Sequence, residues 1–173
     1  VVHDHCLPDA SAEFLRHHRL QVAINANFYE PCCTPGEKDL NGLAISRGMI
    51  VSPPSSSGLG TCVLAITRDH RVTVTTTDTR FAPSLYWTAV AGSAIVLADG
   101  KKPALPDSLF NRTPNPRSAV GVSRDGRYLV LLVIDGRQPG YSLGATVPEV
   151  GDWLLRFGAH AGLNLDGGGS TTL

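Results

Sequence analysis

The clearest structural signal in the sequence is the stretch Ser118-Ala-Val-Gly-Val-Ser-Arg-Asp-Gly-Arg-Tyr-Leu-Val-Leu-Leu-Val-Ile134. Two apolar runs, 118–123 and 128–134, flank the turn residues Arg124-Asp125-Gly126, and this pattern indicates a β-hairpin. The second run is apolar or aromatic throughout, so it is apolar on both faces of a strand. Such strands are typical of the middle of a covered sheet, and we predict a central strand here.

Short strands and turns continue on both sides of this hairpin. Two more hairpins are predicted, over 43–51 with a turn at Arg47-Gly48 and over 62–77 with a turn at Asp69-His70. Further strands are predicted over 21–25, over 87–98 with a break at Gly92, and over 162–165.

Two helices are expected. Thr146 stands three residues before Glu149, with a proline between them, which is the pattern of a capping box. The apolar residues of this helix recur at helical spacing until Gly158: Val150, Trp153, Leu154 and Phe157. A shorter helix over 12–16 is predicted to begin at an Asp9 or Ser11 cap and to turn Phe14 and Leu15 toward the core. The pattern predicts an α+β single domain over 1–173, with a mostly antiparallel mixed sheet and few helices packed on it.

Composition excludes several classes of function. The chain has 173 residues, 15 basic and 15 acidic side chains and 17% charged residues. This balance provides no positive stripe for a polyanion, so we expect no nucleic-acid partner. No apolar run approaches the ~18 residues that cross a bilayer, so we expect no membrane span in this segment.

Both ends of the sequence suggest that it is part of a longer protein. Val1 follows no initiator Met or leader, and Leu173 comes shortly after a glycine run. We therefore expect flanking residues on both sides.

Four cysteines leave three interpretations open. Adjacent Cys32 and Cys33 would form a strained ring, so each would more naturally pair with Cys6 or Cys62, which allows two disulfide connectivities. The alternatives are four reduced thiols, or a zinc site that combines the adjacent pair with Cys6, His3 and His5.

Two acidic residues each follow an apolar strand and precede glycine. Asp166 opens Asp166-Gly-Gly-Gly-Ser170, whose successive N–H groups can form an anion-binding nest, although a triple glycine is also a common flexible turn. Asp135 opens Asp135-Gly136-Arg137, which is also ordinary turn chemistry. If the two strands are neighbours, both acids lie at one edge of the sheet.

Other polar residues lie near these strand ends. Arg117 can bind phosphate or carboxylate oxygens through its guanidinium, or form an ion pair with Asp135. The amides of Asn25 and Asn27 interrupt an apolar strand and need partners, either backbone groups or sugar hydroxyls. Ser142 is either a turn residue or a ligand for a substrate oxygen. Glu149 is explained by capping, with an acid/base role as the alternative.

Several of these segments together resemble the phosphodiester glycosidase family. They cover nearly the whole chain: Ala23-Ile-Asn-Ala-Asn-Phe-Tyr29, the hairpin glycines Gly42 and Gly48, Gly92, Pro116-Arg-Ser-Ala-Val-Gly121, Ile134-Asp-Gly-Arg137 and Leu163-Asn-Leu-Asp-Gly-Gly-Gly-Ser-Thr171. The family's strand motif commonly reads Asn-Gly-Gly-Phe-Phe, and this chain departs from it at Ala26, Asn27 and Tyr29.

The resemblance implies an α+β domain, hydrolysis of a sugar-1-phosphodiester and an extracytoplasmic or secreted location. In this reading the catalytic candidates are Asp166, Asp135 and Glu149. Arg117 and Arg137, helped by backbone N–H groups, would hold the phosphate. The substrate-binding set is Asn25, Asn27, Arg117, Gly136, Arg137, Ser142, Gly167, Gly168, Gly169 and Ser170.

Three further points stay open from the sequence. No cofactor is required, although Asp135 and Asp166 could hold Ca²⁺ or Mg²⁺. The first rival function is a phosphodiesterase that cuts the P–O bond, and the second is a non-catalytic glycan-binding domain of a cell-envelope protein. The expected partner is a glycan or a sugar-1-phosphodiester. The sequence does not indicate the oligomeric state.

Overall fold

The structure is a computed structural model that describes residues 10–32, 38–78 and 80–173. The helices in these residues are α1 (Ala10–His18), α2 (Leu109–Arg112) and α3 (Val147–Arg156). The strands are β1 (Tyr29–Glu30), β2 (Asp39–Leu40), β3 (Ala44–Ser46), β4 (Met49–Ser52), β5 (Cys62–Thr67), β6 (Val72–Thr76), β7 (Tyr86–Gly92), β8 (Ala94–Leu97), β9 (Arg117–Ser123), β10 (Leu129–Ile134) and β11 (Ala159–Asn164).

The strands form three antiparallel sheets. The larger two have the orders β4-β3-β7-β5-β6 and β10-β9-β11-β8, and β1 pairs with β2. Together with three helices, they confirm the predicted α+β class.

The two larger sheets pack face to face, and α3 covers the outer face of the four-stranded sheet. Leu64 of β5 lies in the core between the sheets, with Val120 and Leu163. Val150 and Leu154 of α3 pack on the opposite face of the four-stranded sheet. This sheet therefore lies between another sheet and a helix, and its strands are apolar on both faces for that reason.

The three predicted hairpins are confirmed as β3–β4, β5–β6 and β9–β10. Arg47 and Gly48 have φ angles of 51° and 79°, which a two-residue type I′ turn requires. The predicted break near Gly92 falls at Ser93, where the chain leaves one large sheet and enters the other.

The principal helix also begins as predicted, with a complete capping box between Thr146 and Glu149. Two of the apolar residues that recur at helical spacing are exposed, however: Trp153 by 39% and Phe157 by 56%. Their rings stack on each other with centroids 6.1 Å apart. Because the helix contacts a sheet along one side only, the Trp153–Phe157 pair lies outside the buried stripe.

Two strand predictions are wrong. The apolar stretch ending at Ile134 lies at an edge of its sheet as β10, not in the middle. Both of its faces are partly covered, by Val130, Leu132 and Ile134 packing on one side and Leu131 on the other, which explains the apolar pattern. An apolar pattern does not show whether a neighbouring strand pairs on each side. Residues 21–25 form no strand, and the side-chain amide of Asn25 at the end of this segment bonds to Ser118 and to the Asp166 carbonyl.

No described helix has both the length and the apolar character needed to cross a membrane. The shorter predicted helix is present as α1, with Phe14 and Leu15 half-buried, and its proposed Asp9 cap lies outside the described residues.

Cysteine pairing stays a prediction. Cys62 lies on β5, and within the described residues no disulfide joins it to Cys32. Cys6, Cys33, His3 and His5 lie outside the described residues.

Candidate functional site

The topology brings the two acidic strand ends to one edge of the four-stranded sheet. β10 and β11 both pair antiparallel with β9, which lies between them. They therefore run parallel to each other and end where β9 begins. Asp135 follows β10, Asp166 follows β11 after one residue, and Arg117 opens β9. Asp135, Asp166 and Arg117 therefore lie at the same edge of the sheet, as expected, although β9 separates β10 from β11.

Asp166 lies half-buried in a web of hydrogen bonds. Its N–H donates to the Ala26 carbonyl at 2.9 Å, and its own carbonyl accepts from Asn25 Nδ2 at 2.9 Å. The carboxylate accepts from the Gly167 N–H at 2.8 Å. Burial raises the pKa of the Asp166 carboxyl, against the opposing hydrogen bonds of the Ser170 hydroxyl and the Gly167 N–H. The site thus contains a carboxyl with an increased proton affinity.

The amides of Asn25 and Asn27 are both engaged within the protein. Asn25 Oδ1 accepts from the Ser118 hydroxyl at 2.5 Å and from the Thr172 N–H at 3.2 Å. Asn27 Oδ1 accepts from the Ala91 N–H at 3.0 Å, and its Nδ2 lies 3.2–3.4 Å from three consecutive carbonyls at 41–43. Asn25 therefore positions the backbone around Asp166, and Asn27 ties this segment to β7.

Arg117 is buried, with 2% of its surface exposed. Its Nε donates to the Ala145 carbonyl at 2.9 Å, and its Nη2 donates to the carbonyls of Phe110 and Thr113 at 3.1 and 2.9 Å. Its guanidinium lies 5.1 Å from the centre of the Phe110 ring. Both Arg117 and Asp135 are described, and no ion pair joins them. Nη1 makes no hydrogen bond within the described residues.

Arg137 approaches Arg117 from the next strand end. Its Nε donates to Asn115 Oδ1 at 3.0 Å, and it has an unusual φ of 57°. Burial lowers the pKa of the Arg117 guanidinium, and the positive charge of Arg137 lowers it further. Among the described residues neither arginine forms an ion pair. Two neighbouring cations without a carboxylate partner favour an anion between them.

The glycine segment 167–169 mainly provides room for a neighbouring side chain, and supplies fewer free hydrogen-bond donors than predicted. The Gly168 N–H donates to the Pro116 carbonyl at 2.9 Å, and the Gly167 N–H is used by Asp166, so two N–H groups of the predicted nest are already engaged. A Cβ on Gly168 would lie 2.9 Å from Arg137 Nη2. The absence of a side chain at Gly168 therefore lets Arg137 lie against this turn.

The other predicted residues lie at the same end of the molecule but face different partners. Asp135 is exposed, and its carbonyl, not its carboxylate, accepts from the Ser142 hydroxyl at 2.6 Å. Gly136 is buried, and a Cβ there would meet the Pro116 nitrogen at 2.6 Å. Glu149 Oε2 accepts from the Thr146 N–H at 2.7 Å and caps α3.

Sequence reasoning missed two residues of this site. Asn115 orients Arg137, and its only sequence signal is a position between two prolines shortly before Arg117. Phe110 places its ring against Arg117 and 6.1 Å from the ring of Phe28, and no motif marks it.

A cavity of about 510 Å³ lies beside the segment 102–107, which contains Pro103 and Pro106, and none of the predicted site residues lines it. Its walls are Val96, Lys102, Pro103, Ala104, Leu105, Pro106, Asp107, Asn111, Arg112 and Pro148.

Metal binding stays a prediction. In residues 10–32, 38–78 and 80–173, no three side chains of the His, Cys, Asp and Glu types come together as a metal site would require. The carboxylates of Asp135 and Asp166 face different surroundings, as described above.

Two solved structures share this fold. One is the catalytic domain of zebrafish N-acetylglucosamine-1-phosphodiester alpha-N-acetylglucosaminidase, auto-inhibited by its pro-peptide, with a TM-score of 0.66 and 21% identity over 86% of this chain and 51% of that chain. The other is a hypothetical protein from Synechocystis, with a TM-score of 0.63 and 15% identity over 94% of this chain and 50% of that chain. The present chain spans about half the length of each.

No curated protein matches the chain at a significant level. The family model described as phosphodiester glycosidase matches residues 18–173, which include every residue of the candidate site. This chain therefore belongs to the phosphodiester glycosidase family.

Proposed function

We propose that the chain hydrolyses a sugar-1-phosphodiester by cutting the bond between the anomeric carbon and the phosphate oxygen. The observation that carries this proposal is the pair Arg117 and Arg137, two neighbouring cations without a carboxylate partner in the described residues, beside the half-buried Asp166. Family membership supports the same class of reaction.

The phosphate is held by the two arginines. Arg117 Nη1 is the part of that guanidinium not committed to backbone carbonyls, and Arg137 has both Nη groups beyond its bond to Asn115. A diester anion placed between them relieves the repulsion of like charges.

Asp166 is the reacting carboxylate. It takes a proton from water as the water oxygen bonds to the anomeric carbon, the C–O bond breaks, and its electron pair leaves on the phosphate monoester. Burial, which raises the pKa of Asp166, makes its carboxylate a stronger base. Direct attack by Asp166 on the anomeric carbon, followed by hydrolysis of the ester, uses the same residue.

A phosphate monoester leaves as an anion, so the reaction does not require a second carboxyl to protonate it. This fits the exposed position of Asp135 and the capping role of Glu149. We place neither residue in the reacting set, and no metal ion takes part in the proposed steps.

The proposal is tested with N-acetylglucosamine-1-phosphodiester and related hexose-1-phosphodiesters in ¹⁸O water. The N-acetylglucosamine compound is tested first because the zebrafish protein of the same fold is an N-acetylglucosamine-1-phosphodiester alpha-N-acetylglucosaminidase. We expect the label in the released sugar. Label in the phosphate would establish P–O cleavage, and binding without turnover would establish a glycan-binding domain.

The assay includes Asp166→Asn with Asp125→Asn as its matched control. Asp125 is an exposed carboxylate in the β9–β10 turn, bonded to the Ser123 hydroxyl. Loss of turnover in both variants would contradict a specific role for Asp166. We also propose an extracytoplasmic or secreted location, which fractionation of the source cells would test.

A further inference from the structure

β10 is an edge strand, and none of the strands in residues 10–32, 38–78 and 80–173 pairs with its outer side. It is the longest of the four strands that border the two larger sheets, and its sequence Leu129-Val-Leu-Leu-Val-Ile134 contains no charge, proline or glycine. Soluble proteins normally protect such edges with charges, prolines or short strands, because an open edge is a template for another strand. Tyr128 and Leu129 at its start are 64% and 46% exposed.

The hydrogen-bonding pattern shows which residues face the open edge. The Ser123 N–H donates to the Tyr128 carbonyl at 3.0 Å, so Tyr128 is bonded toward β9. Bonded and non-bonded positions alternate in an antiparallel pair. The N–H and C=O groups of Leu129, Leu131 and Val133 therefore point away from β9, and no other described strand pairs with them.

This alternation restricts how a second copy can pair. Residues whose backbone groups face outward in one copy must pair with outward-facing residues of the other copy. All three outward-facing residues find a partner when Leu131 lies opposite Leu131 of the second copy and Leu129 lies opposite its Val133. In this register Arg127 of one copy lies opposite Asp135 of the other, at both ends of the pair. Arg127 and Asp135 are both exposed, and neither forms an ion pair within the described residues.

We propose that β10 pairs antiparallel with β10 of a second copy of this chain, centred on Leu131, to form a two-fold dimer. The three residue pairs each exchange two backbone hydrogen bonds, and the Arg127–Asp135 charges close both ends. The charge complementarity favours a second copy over an unrelated strand. The two four-stranded sheets then form one continuous eight-stranded sheet.

The test is sedimentation of the full chain over about 1–100 µM, a range in which small interfaces dissociate. We expect a species of twice 18.3 kDa at the upper end. Arg127→Glu and Asp135→Arg alone each place like charges opposite one another and are expected to raise the dissociation constant at least ~10-fold. The double variant Arg127→Glu/Asp135→Arg is expected to restore dimerisation.

Two controls locate the interface. Arg124→Glu reverses an exposed charge in the same turn, outside the paired residues, and is expected to leave the dimer unchanged. Leu129→Lys changes a half-exposed side chain on the paired strand and is expected to abolish the dimer without changing the unfolding temperature by more than a few degrees.

A chain that stays monomeric at all concentrations overturns the proposal. So does a dimer that persists in Leu129→Lys, because the interface would then lie elsewhere. Failure of the double variant to restore what the single variants lose overturns the proposed register.

Discussion

The two acidic strand ends look alike in the sequence and differ in the structure. Asp135 and Asp166 both follow apolar strands and precede glycine. Asp135 follows an edge strand, so its carboxylate faces solvent, whereas Asp166 follows an interior strand and is half-buried among bonded residues. The comparison teaches that the position of a strand in its sheet, not the local motif, decides which carboxyl acquires a raised pKa.

The largest expected effect separates the two acids directly. Asp166→Asn is expected to lower kcat about 10³-fold, because it removes the group that activates water. Asp135→Asn is expected to change kcat less than about 10-fold, since its carboxylate has no partner in the described part of the site. Steady-state hydrolysis of the sugar-1-phosphodiester measures both, and equal losses would show that the two strand ends act together.

The two arginines extend the comparison from the acids to the cations. Arg117→Met is expected to destabilise the fold by about 3 kcal/mol, because it leaves three carbonyls near Ala145, Phe110 and Thr113 without their donor. Urea denaturation measures this change. Arg124→Met, in an exposed turn, is the control and should stay within about 0.5 kcal/mol of the parent chain.

Arg137 should affect binding more than folding. Arg137→Ala is expected to raise KM about 10- to 100-fold, because a charge-assisted contact to phosphate is lost, with little change in unfolding. Asn115→Asp keeps an acceptor for Arg137 Nε but adds a negative charge beside the phosphate, so it too should raise KM. An unchanged KM in Arg137→Ala would remove this residue from the binding site.

Gly168 and Gly169 test how closely Arg137 approaches the turn after Asp166. Gly168 has a φ of 64°, and its Cβ would meet Arg137, so Gly168→Ala is expected to cost about 1–2 kcal/mol and to raise KM. A Cβ on Gly169 has no atom within 4 Å, which makes Gly169→Ala the matched control. Thermal unfolding and KM are measured for both, and similar results for the two variants would contradict the close approach of Arg137.

The smallest effect is on the pH dependence of stability. Burial raises the pKa of Asp166 above the ordinary value of 3.8, so the folded chain favours the protonated carboxyl. This contribution to stability is complete below pH 3.8 and is lost as the pH rises through the folded pKa. Asp166→Asn should therefore unfold at a higher temperature than the parent chain at pH 7, and the difference should shrink toward pH 4. A constant difference across this range would contradict the raised pKa.

Much of the local structure could be predicted from the sequence. The hairpin turns depend on neighbouring residues, and Arg47-Gly48 and Asp69-His70 mark theirs correctly. The capping box at Thr146 is equally local. Glycosidase family membership rests on motifs in their order along the chain.

Other features depend on contacts between distant residues. Asn25 interrupts an apolar run, and only the fold shows that Ser118 and Asp166 are its partners, 93 and 141 residues away. Arg117 could be read as a phosphate ligand or as an ion-pair partner, and the structure adds backbone carbonyls as its main partners. No motif marks Phe110, and Asn115 is marked only by its position between two prolines.

The amino-acid order by itself determined the three hairpins with their turns, the longest helix and the two acid–glycine strand ends, because each depends on interactions within a few residues. Only the tertiary structure decided that β9 lies between β10 and β11, that Asp166 is half-buried while Asp135 is exposed, and that Arg117 and Arg137 approach each other. The reason is physical: burial and electrostatic coupling are properties of what packs around a group, and a strand's own residues do not specify which neighbours it will have.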